Sequence, residues 1–71
     1  MVSTMDLMET VSRNLRRLRQ EKGLSQEELA SRAEISARYL GDLERGRYSC
    51  TVTVLGRLAD GLGVRPADLV A

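Results

Sequence analysis

The spacing of Ser25 and Glu28 is the sequence feature that most constrains this fold. The two residues stand three positions apart, directly ahead of an apolar pattern. At the start of a helix, the serine oxygen and the glutamate carboxylate can each accept a hydrogen bond from a backbone amide that has no helical partner. The pair therefore predicts the beginning of a short helix, which we place over residues 26–33.

A second short helix follows almost at once. Ser36 can cap it through its side-chain oxygen, and Gly46 stands where the chain needs a positive φ after the helix. We predict this helix over 37–45, which leaves only residues 34–36 for the turn. Two short helices joined in this way form a helix-turn-helix, here over about 26–45, the arrangement that presents its second helix to a DNA major groove.

The segment before these two helices predicts a longer first helix. Its apolar residues recur at helical spacing along one stripe, which consists of Leu7, Val11, Leu15 and Leu18. Asp6 and Glu9 are placed to cap its start, and Gly23 is placed to close its end. We expect the extension over residues 1–10 either to lengthen this helix or to be partly disordered, with the disorder over residues 1–6.

Two further helices complete the prediction of an all-α, five-helix fold without strands. The fourth helix is predicted over 51–62, with its inward side chains supplied by Val52, Leu55, Leu58, Ala59 and Leu62. Gly56 and Gly61 are unfavourable inside it, by about 1 kcal/mol each relative to alanine. The fifth helix is predicted over 66–70, because proline suits the first turn of a helix. Residues 1–71 then form a single domain.

Composition restricts the classes of function. The 71 residues include one cysteine and no histidine, so we expect one small core without an internal disulfide or a bound metal. There is no glycine-rich phosphate loop and no nucleophile with an evident base, so we expect no enzyme, no cofactor and no small-molecule ligand. No apolar run approaches the roughly 20 residues that span a bilayer, and no signal peptide is evident, which predicts a cytoplasmic protein without a membrane partner.

The quoted pattern resembles the lambda-repressor-like helix-turn-helix family, the Cro, repressor and Xre group of bacterial and phage regulators. The resemblance begins near Val11 and is carried by Leu24-Ser25-Gln26-Glu27-Glu28-Leu29-Ala30, Ile35-Ser36, Leu43-Glu44-Arg45-Gly46 and Leu62-Gly63-Val64. It implies a compact domain that binds double-stranded DNA, with the helix over 37–45 in the major groove. Domains of this size in the family include restriction-modification controller proteins, phage repressors and small autoregulators, which repress, activate or do both. We favour the controller class.

The resemblance also implies roles for individual residues. Base edges would be faced by Ser36, Ala37, Arg38 and Asp42, and phosphates would be contacted by Ser25, Gln26, Tyr39, Arg45 and Arg47. Arg38 can donate two hydrogen bonds to a guanine. Asp42 either accepts from a cytosine or holds Arg38 in its reading rotamer from four residues away, and we favour the second role.

Two structural contacts complete the expectation. Arg19 resembles the family arginine that pairs with a glutamate late in the third helix, here Glu44. A homodimer on a palindromic operator is expected, because one recognition helix reads only a few base pairs and two can read half-sites about 34 Å apart. Four apolar residues either form the dimer surface, which we favour, or close the monomer core: Leu62, Val64, Leu69 and Val70. The rival function is an antitoxin or protein-interaction module of the same fold.

Three residues depart from the family pattern. Glu34 takes the turn position that is commonly glycine, so either it adopts an unfavourable positive φ or the turn differs. Gly41 lies in the middle of the predicted recognition helix, on the side that can approach DNA, where it costs local stability. Cys50 is expected to be a loop residue without a redox function.

Overall fold

The structure, a computed structural model, describes residues 4–71 and the side chains from Leu7 onward. This part of the chain folds into five helices and contains no strand, which confirms the all-α prediction. The helices are α1 (Thr4–Glu21), α2 (Gln26–Ala33), α3 (Ala37–Glu44), α4 (Val52–Leu62) and α5 (Ala67–Val70). None of them is both long and apolar enough to cross a membrane.

The two serine caps are present as predicted. The Oγ of Ser25 accepts a hydrogen bond from the backbone N–H of Glu28 at 3.0 Å, and Glu28 Oε1 accepts one from the backbone N–H of Ser25 at 2.9 Å. The Ser25 hydrogen bonds hold the pKa of the Glu28 carboxyl below its usual value, chiefly the one from the backbone N–H. Ser36 Oγ accepts from the N–H of Tyr39 at 3.0 Å. These local bonds start α2 and α3 where the sequence predicts.

The turn between α2 and α3 places a glutamate in the left-handed region. Glu34 has φ 60° and ψ 40°, so the turn keeps its usual form and Glu34 adopts the unfavourable positive φ. Its backbone N–H donates to the Ser31 carbonyl at 3.2 Å, and that of Ile35 donates to the Ala30 carbonyl at 3.0 Å. The unusual backbone therefore closes α2 with satisfied carbonyls and turns the chain within three residues.

The remaining helix ends differ slightly from their predicted positions. Helix α1 begins at Thr4, so the extension lengthens it from there, whereas residues 1–3 and the side chain of the predicted cap Asp6 lie outside the described part of the structure. Gly23, with φ +70°, follows the end of α1 as expected. Thr51 caps α4 rather than starting it, and Pro66 stands at the residue before α5.

All five helices contribute to the core: α2 packs on α3 and α4, and α1 packs on α3 and α5. Its largest fully buried side chains are Leu15, Leu29, Leu40, Leu43, Leu58 and Leu69. The inward prediction for Val52 is wrong, because this side chain is 87% exposed. Val52 is the first residue of α4, and a helical side chain leans toward the N-terminus of its helix, here away from the packed turns.

The two glycines within α4 have different surroundings. A Cβ at Gly61 would lie 3.1 Å from Leu29 Cδ1 and 3.2 Å from Arg32 Cβ, both on α2. A Cβ at Gly56 would meet no atom within 4 Å. Gly61 therefore permits the close approach of α2 and α4, whereas nothing in the packing of the monomer requires Gly56.

A buried asparagine attaches α5 to α1. The Nδ2 of Asn14 donates to the backbone carbonyls of Leu69 at 3.0 Å and Ala71 at 3.2 Å. The last carbonyls of a helix have no partner inside it, so a side-chain donor satisfies them here. The sequence pattern did not indicate this contact, since its partners lie far apart along the chain.

Candidate nucleic-acid interface

The start of α3 presents an arginine that is free to bind a partner. Arg38 is exposed and makes no hydrogen bond or ion pair with the other residues that the structure describes. Ser36 is also exposed, and its oxygen already caps the helix, which leaves its hydroxyl hydrogen available. Ala37 is half-buried against the core. The first turn of α3 thus offers one long, uncommitted donor beside two short side chains.

Asp42 does not hold Arg38, so the role that we favoured for it is wrong. Its Oδ1 lies 3.4 Å from Nη1 of Arg45 and 4.0 Å from Nη1 of Arg47. Arg45 follows Asp42 by three residues at the C-terminal cap of α3, and Arg47 comes just after the turn at Gly46, so both arginines face this half-buried carboxylate. An arginine placed N-terminal to its acidic partner on a helix is also the weaker order for a pair of this spacing.

The guanidinium groups of Arg45 and Arg47 remain largely open to solvent. Their side chains are 61% and 66% exposed although both face Asp42. One carboxylate opposite two guanidinium groups leaves a net positive charge at the end of α3. Such a position suits contact with sugar-phosphate oxygens, which need charge but no base-specific geometry.

A buried ion pair joins α1 to the end of α3. Arg19 Nε lies 2.6 Å from Glu44 Oε2, and Arg19 Nη2 donates to Glu44 Oε1 at 3.1 Å. The same guanidinium donates through Nη1 to the Leu24 carbonyl at 2.9 Å. The structure therefore contains the pair that the family resemblance implied, in two-point geometry and with Glu44 only 4% exposed.

Gln26 is tied to this pair, a contact that the sequence did not indicate. Its Nε2 donates to Glu44 Oε1 at 3.1 Å. Gln26 is the first residue of α2, so the Glu44 carboxylate fixes a side chain at the start of one helix from the end of the next. Eighteen residues separate the two along the chain, and no helical periodicity relates them.

The other residues expected at phosphates are held more simply. Ser25 is exposed, and its oxygen is engaged in the capping box. Tyr39 is half-buried, and its ring packs against the core. Cys50 precedes the cap of α4, where partial burial raises the pKa of its thiol.

The predicted dimer surface is largely part of the monomer core. Leu62 is 3% exposed and Leu69 is 0% exposed, so neither can contact a second subunit, and their assignment to that surface is wrong. Val64 is half-buried against the same core, whereas Val70 is 40% exposed. The short α5 turns Leu69 inward and the next side chain outward, which explains the division.

Comparison with known proteins identifies the family. A family model described as a helix-turn-helix domain matches residues 11–71. The chain belongs to the helix-turn-helix family of transcriptional regulators. Its relatives include an uncharacterized HTH-type transcriptional regulator, y4dJ, of Sinorhizobium fredii. The two sequences are 50% identical over 66 residues, which are 93% of this chain and 86% of that protein.

Two further similarities extend this result. The HTH-type transcriptional regulator DdrOP3 of Deinococcus deserti is 46% identical over 56 residues, which are 79% of this chain and 43% of that longer protein. The crystal structure of the restriction-modification controller protein C.AhdI from Aeromonas hydrophila superimposes with a TM-score of 0.85 at 35% identity, covering 87% of this chain and 94% of that one. The lambda-repressor-like fold is thereby confirmed, and α2 and α3 are its helix-turn-helix.

Proposed function

We propose that this protein is a sequence-specific regulator that binds a palindromic operator as a homodimer, with α3 in the major groove. The observation that carries the proposal is the exposed and unpaired Arg38 in the first turn of α3. An arginine at this point of a recognition helix can donate two hydrogen bonds to O6 and N7 of a guanine. Such a contact discriminates against a wrong base by about 1–3 kcal/mol.

The residues around Arg38 divide into those that would contact base edges and those that would hold other side chains in place. Ser36 and Ala37 lie beside Arg38 and would touch neighbouring base edges through a hydroxyl and a methyl group. Asp42 is committed to Arg45 and Arg47, so its contribution is to hold phosphate-binding arginines rather than to read a base. This assignment limits direct reading to the first turn of α3.

The phosphate contacts lie on both sides of that turn. Ser25 and Gln26 stand at the start of α2, where unpaired backbone N–H groups favour an anion. Tyr39, Arg45 and Arg47 follow along and after α3. Contacts of this kind set the register of the protein on the duplex and strengthen binding to every sequence alike.

The regulator class is inferred from similarity to a solved structure, and the dimer from the apolar residues that remain exposed. The match to C.AhdI covers 94% of that controller protein, so we assign this chain to the control of restriction-modification genes in the cytoplasm. The dimer contact would use the apolar surface at Val64 and Val70. These are the two residues of the predicted dimer surface that are not fully buried in the monomer. A two-fold axis there would give two recognition helices for two half-sites.

The test is selection of bound sequences from a random pool of double-stranded DNA at near-physiological salt. We expect a palindrome with half-sites about one helical turn apart. Arg38→Ala should flatten the preference at one symmetric pair of positions. Arg13→Ala is the matched control, because it removes the same charge from an exposed site on α1 and should leave the base preferences intact.

Two results would overturn the proposal. A wild-type protein that enriches no sequence above salt-sensitive background would not be an operator-binding regulator. That result would favour the rival function, an antitoxin or protein-interaction module. A monomer at concentrations where the palindrome is bound, measured by analytical ultracentrifugation with the DNA, would contradict the homodimer.

A further inference from the structure

The exposed valine of α5 lies between two carbonyls that one buried side chain holds. Val70 is 40% exposed, whereas its neighbour Leu69 is fully buried in the core. The Nδ2 of Asn14, on α1, donates to the Leu69 carbonyl at 3.0 Å and to the Ala71 carbonyl at 3.2 Å. The backbone is therefore fixed on both sides of Val70.

The amide of Asn14 is committed to this contact at both of its ends. A primary amide has two N–H groups, which is the number that the two carbonyls need. Its Oδ1 accepts from Nη2 of Arg17 at 3.4 Å, and Nη1 of Arg17 lies 2.9 Å from Oε2 of Glu21. The bond to Leu69 is buried, so that carbonyl would lack a partner if the amide were removed.

Helix α5 depends on such contacts because it is short. It has four residues, far fewer than the roughly 12–15 that an isolated helix needs. Pro66 before it forms no side-chain cap, and the bond from the Arg65 N–H to Asp68 Oδ2, at 3.0 Å, stays within the segment. The packing of Leu69 and the amide of Asn14 therefore decide whether α5 is docked on α1.

We infer that Asn14 is a positioning residue for the homodimer, because it holds α5 in the docked conformation that presents Val70 to a second copy of this chain. The inference deepens the proposed function and depends on its dimer. A second copy suits this site because a two-fold contact brings a surface against itself, and an uncharged side chain such as Val70 meets its own copy without repulsion.

The effect on the dimer works through the population of docked α5. A monomer with α5 undocked must order this segment before it can dimerise. The apparent dissociation constant of the dimer therefore rises in inverse proportion to the docked fraction. Asn14 is only 6% exposed, so it acts on the dimer contact through the backbone of α5.

The test compares Asn14→Ala with Ser12→Ala by sedimentation equilibrium of the free protein. Ser12 is the matched control, because it is a buried polar residue of the same helix whose Oγ donates within α1, to the Glu9 carbonyl at 2.9 Å. Circular dichroism should show both variants folded. We expect the dimer dissociation constant to rise about tenfold for Asn14→Ala, because two lost hydrogen bonds lower the docked fraction by about that factor. Ser12→Ala should leave it unchanged.

Two further readouts distinguish positioning from a general structural role. In Asn14→Ala, amide hydrogen exchange should be faster within α5 and should slow again as the protein concentration rises, because dimerisation selects the docked state. On a duplex with a single half-site, Asn14→Ala should bind as tightly as the wild type, whereas on the full palindrome it should bind more weakly. A residue that only stabilises the monomer would give α5 exchange that is independent of protein concentration.

The outcomes separate the inference from the proposed function. A wild type that stays monomeric with and without the palindrome overturns both. If the wild type dimerises and Asn14→Ala dimerises as tightly as Ser12→Ala, the dimer stands and the positioning role does not. Exchange in α5 that ignores protein concentration, or an equal loss on the half-site and the palindrome, also overturns the inference.

A variant at the presented side chain keeps the inference testable if Asn14→Ala does not fold. Val70→Ala removes two methyl groups from the exposed surface of α5 and leaves the Asn14 bonds in place. We expect it to weaken the dimer. A dimer dissociation constant equal to that of the wild type would mean that the second copy binds elsewhere, and the inference would be wrong.

Discussion

Replacement of Gly61 by alanine should destabilise the protein, although alanine is the better helix former. A methyl group at this position would lie 3.1 Å from Leu29 Cδ1 and 3.2 Å from Arg32 Cβ. Leu29 is fully buried, and a Cβ atom moves only with its backbone. Neither neighbour can give way without shifting α2 against α4.

The magnitude follows from two opposing effects. Alanine gains about 1 kcal/mol of helix propensity over glycine, whereas extra volume in a close-packed core costs about 1–3 kcal/mol. The net expectation is a loss of about 1 kcal/mol for Gly61→Ala, with a gain of up to about 1 kcal/mol for Gly56→Ala. In a domain of this size, 1 kcal/mol shifts the midpoint of thermal unfolding by about 4–8 °C.

The assay is thermal unfolding followed by circular dichroism at equal protein concentration, supported by urea titration. The two variants differ from the wild type by the same atoms in the same helix, so Gly56→Ala reports propensity without the crowding. A Gly61→Ala midpoint as high as that of Gly56→Ala would refute the reasoning, because it would mean that the contact between α2 and α4 accommodates a methyl group at no cost.

Four other substitutions test contacts described above. Arg19→Ala and Glu44→Ala should each cost about 3 kcal/mol in urea unfolding because each leaves a buried charge unpaired, and the double variant should lose clearly less than the two losses combined; additive losses would exclude the coupling. Glu34→Gly should raise stability by up to about 1 kcal/mol by relieving the positive φ, and an unchanged or lower thermal midpoint would contradict strain at this turn. The lowered pKa of Glu28 means that its carboxylate stabilises the folded state above the unfolded pKa of 4.5, an effect that is lost as the pH falls through the folded pKa. The stability difference between wild type and Glu28→Gln should therefore be full at pH 7 and should shrink below about pH 4.5; a difference that stays constant to pH 2 would be inconsistent with the capping carboxylate.

Local signals predicted the helix-turn-helix accurately. The capping bonds of Ser25 and Ser36 join residues three positions apart, so the sequence within one turn determines them. The positive φ of Glu34 was one of two alternatives, because it depends on how tightly α3 must follow α2. Five helices and their approximate bounds follow from the same local chemistry and from apolar spacing.

Features that depend on the relative placement of helices were less accessible. Val52 has helical spacing with the inward residues of α4, yet it is the first residue of that helix and its side chain lies outside the packed part. Asp42 was assigned to Arg38, whereas its nearest basic groups are Arg45, three residues later at the end of the same helix, and Arg47 just beyond it. Leu62 and Leu69 are apolar in either role, so composition could not distinguish a core position from a dimer surface.

The residues that we propose to contact DNA were predicted largely by resemblance, and the contacts among them were not. The pairing of Arg19 with Glu44 follows from family position. The bond from Gln26 to the same carboxylate appears only when α2 and α3 are placed in three dimensions.

The bonds from Asn14 to the carbonyls of Leu69 and Ala71 have a consequence for the growing polypeptide. A ribosome that has synthesised α1 to α4 has not yet made the acceptors for this buried amide, and a nascent chain can complete only the contacts whose residues have emerged. We therefore expect the docking of α1 to be complete only once residues 69–71 are available to accept these bonds. Because α1 also supplies Arg19 to Glu44, the residues that accept from Asn14 also help to hold the ion pair that fixes the end of α3.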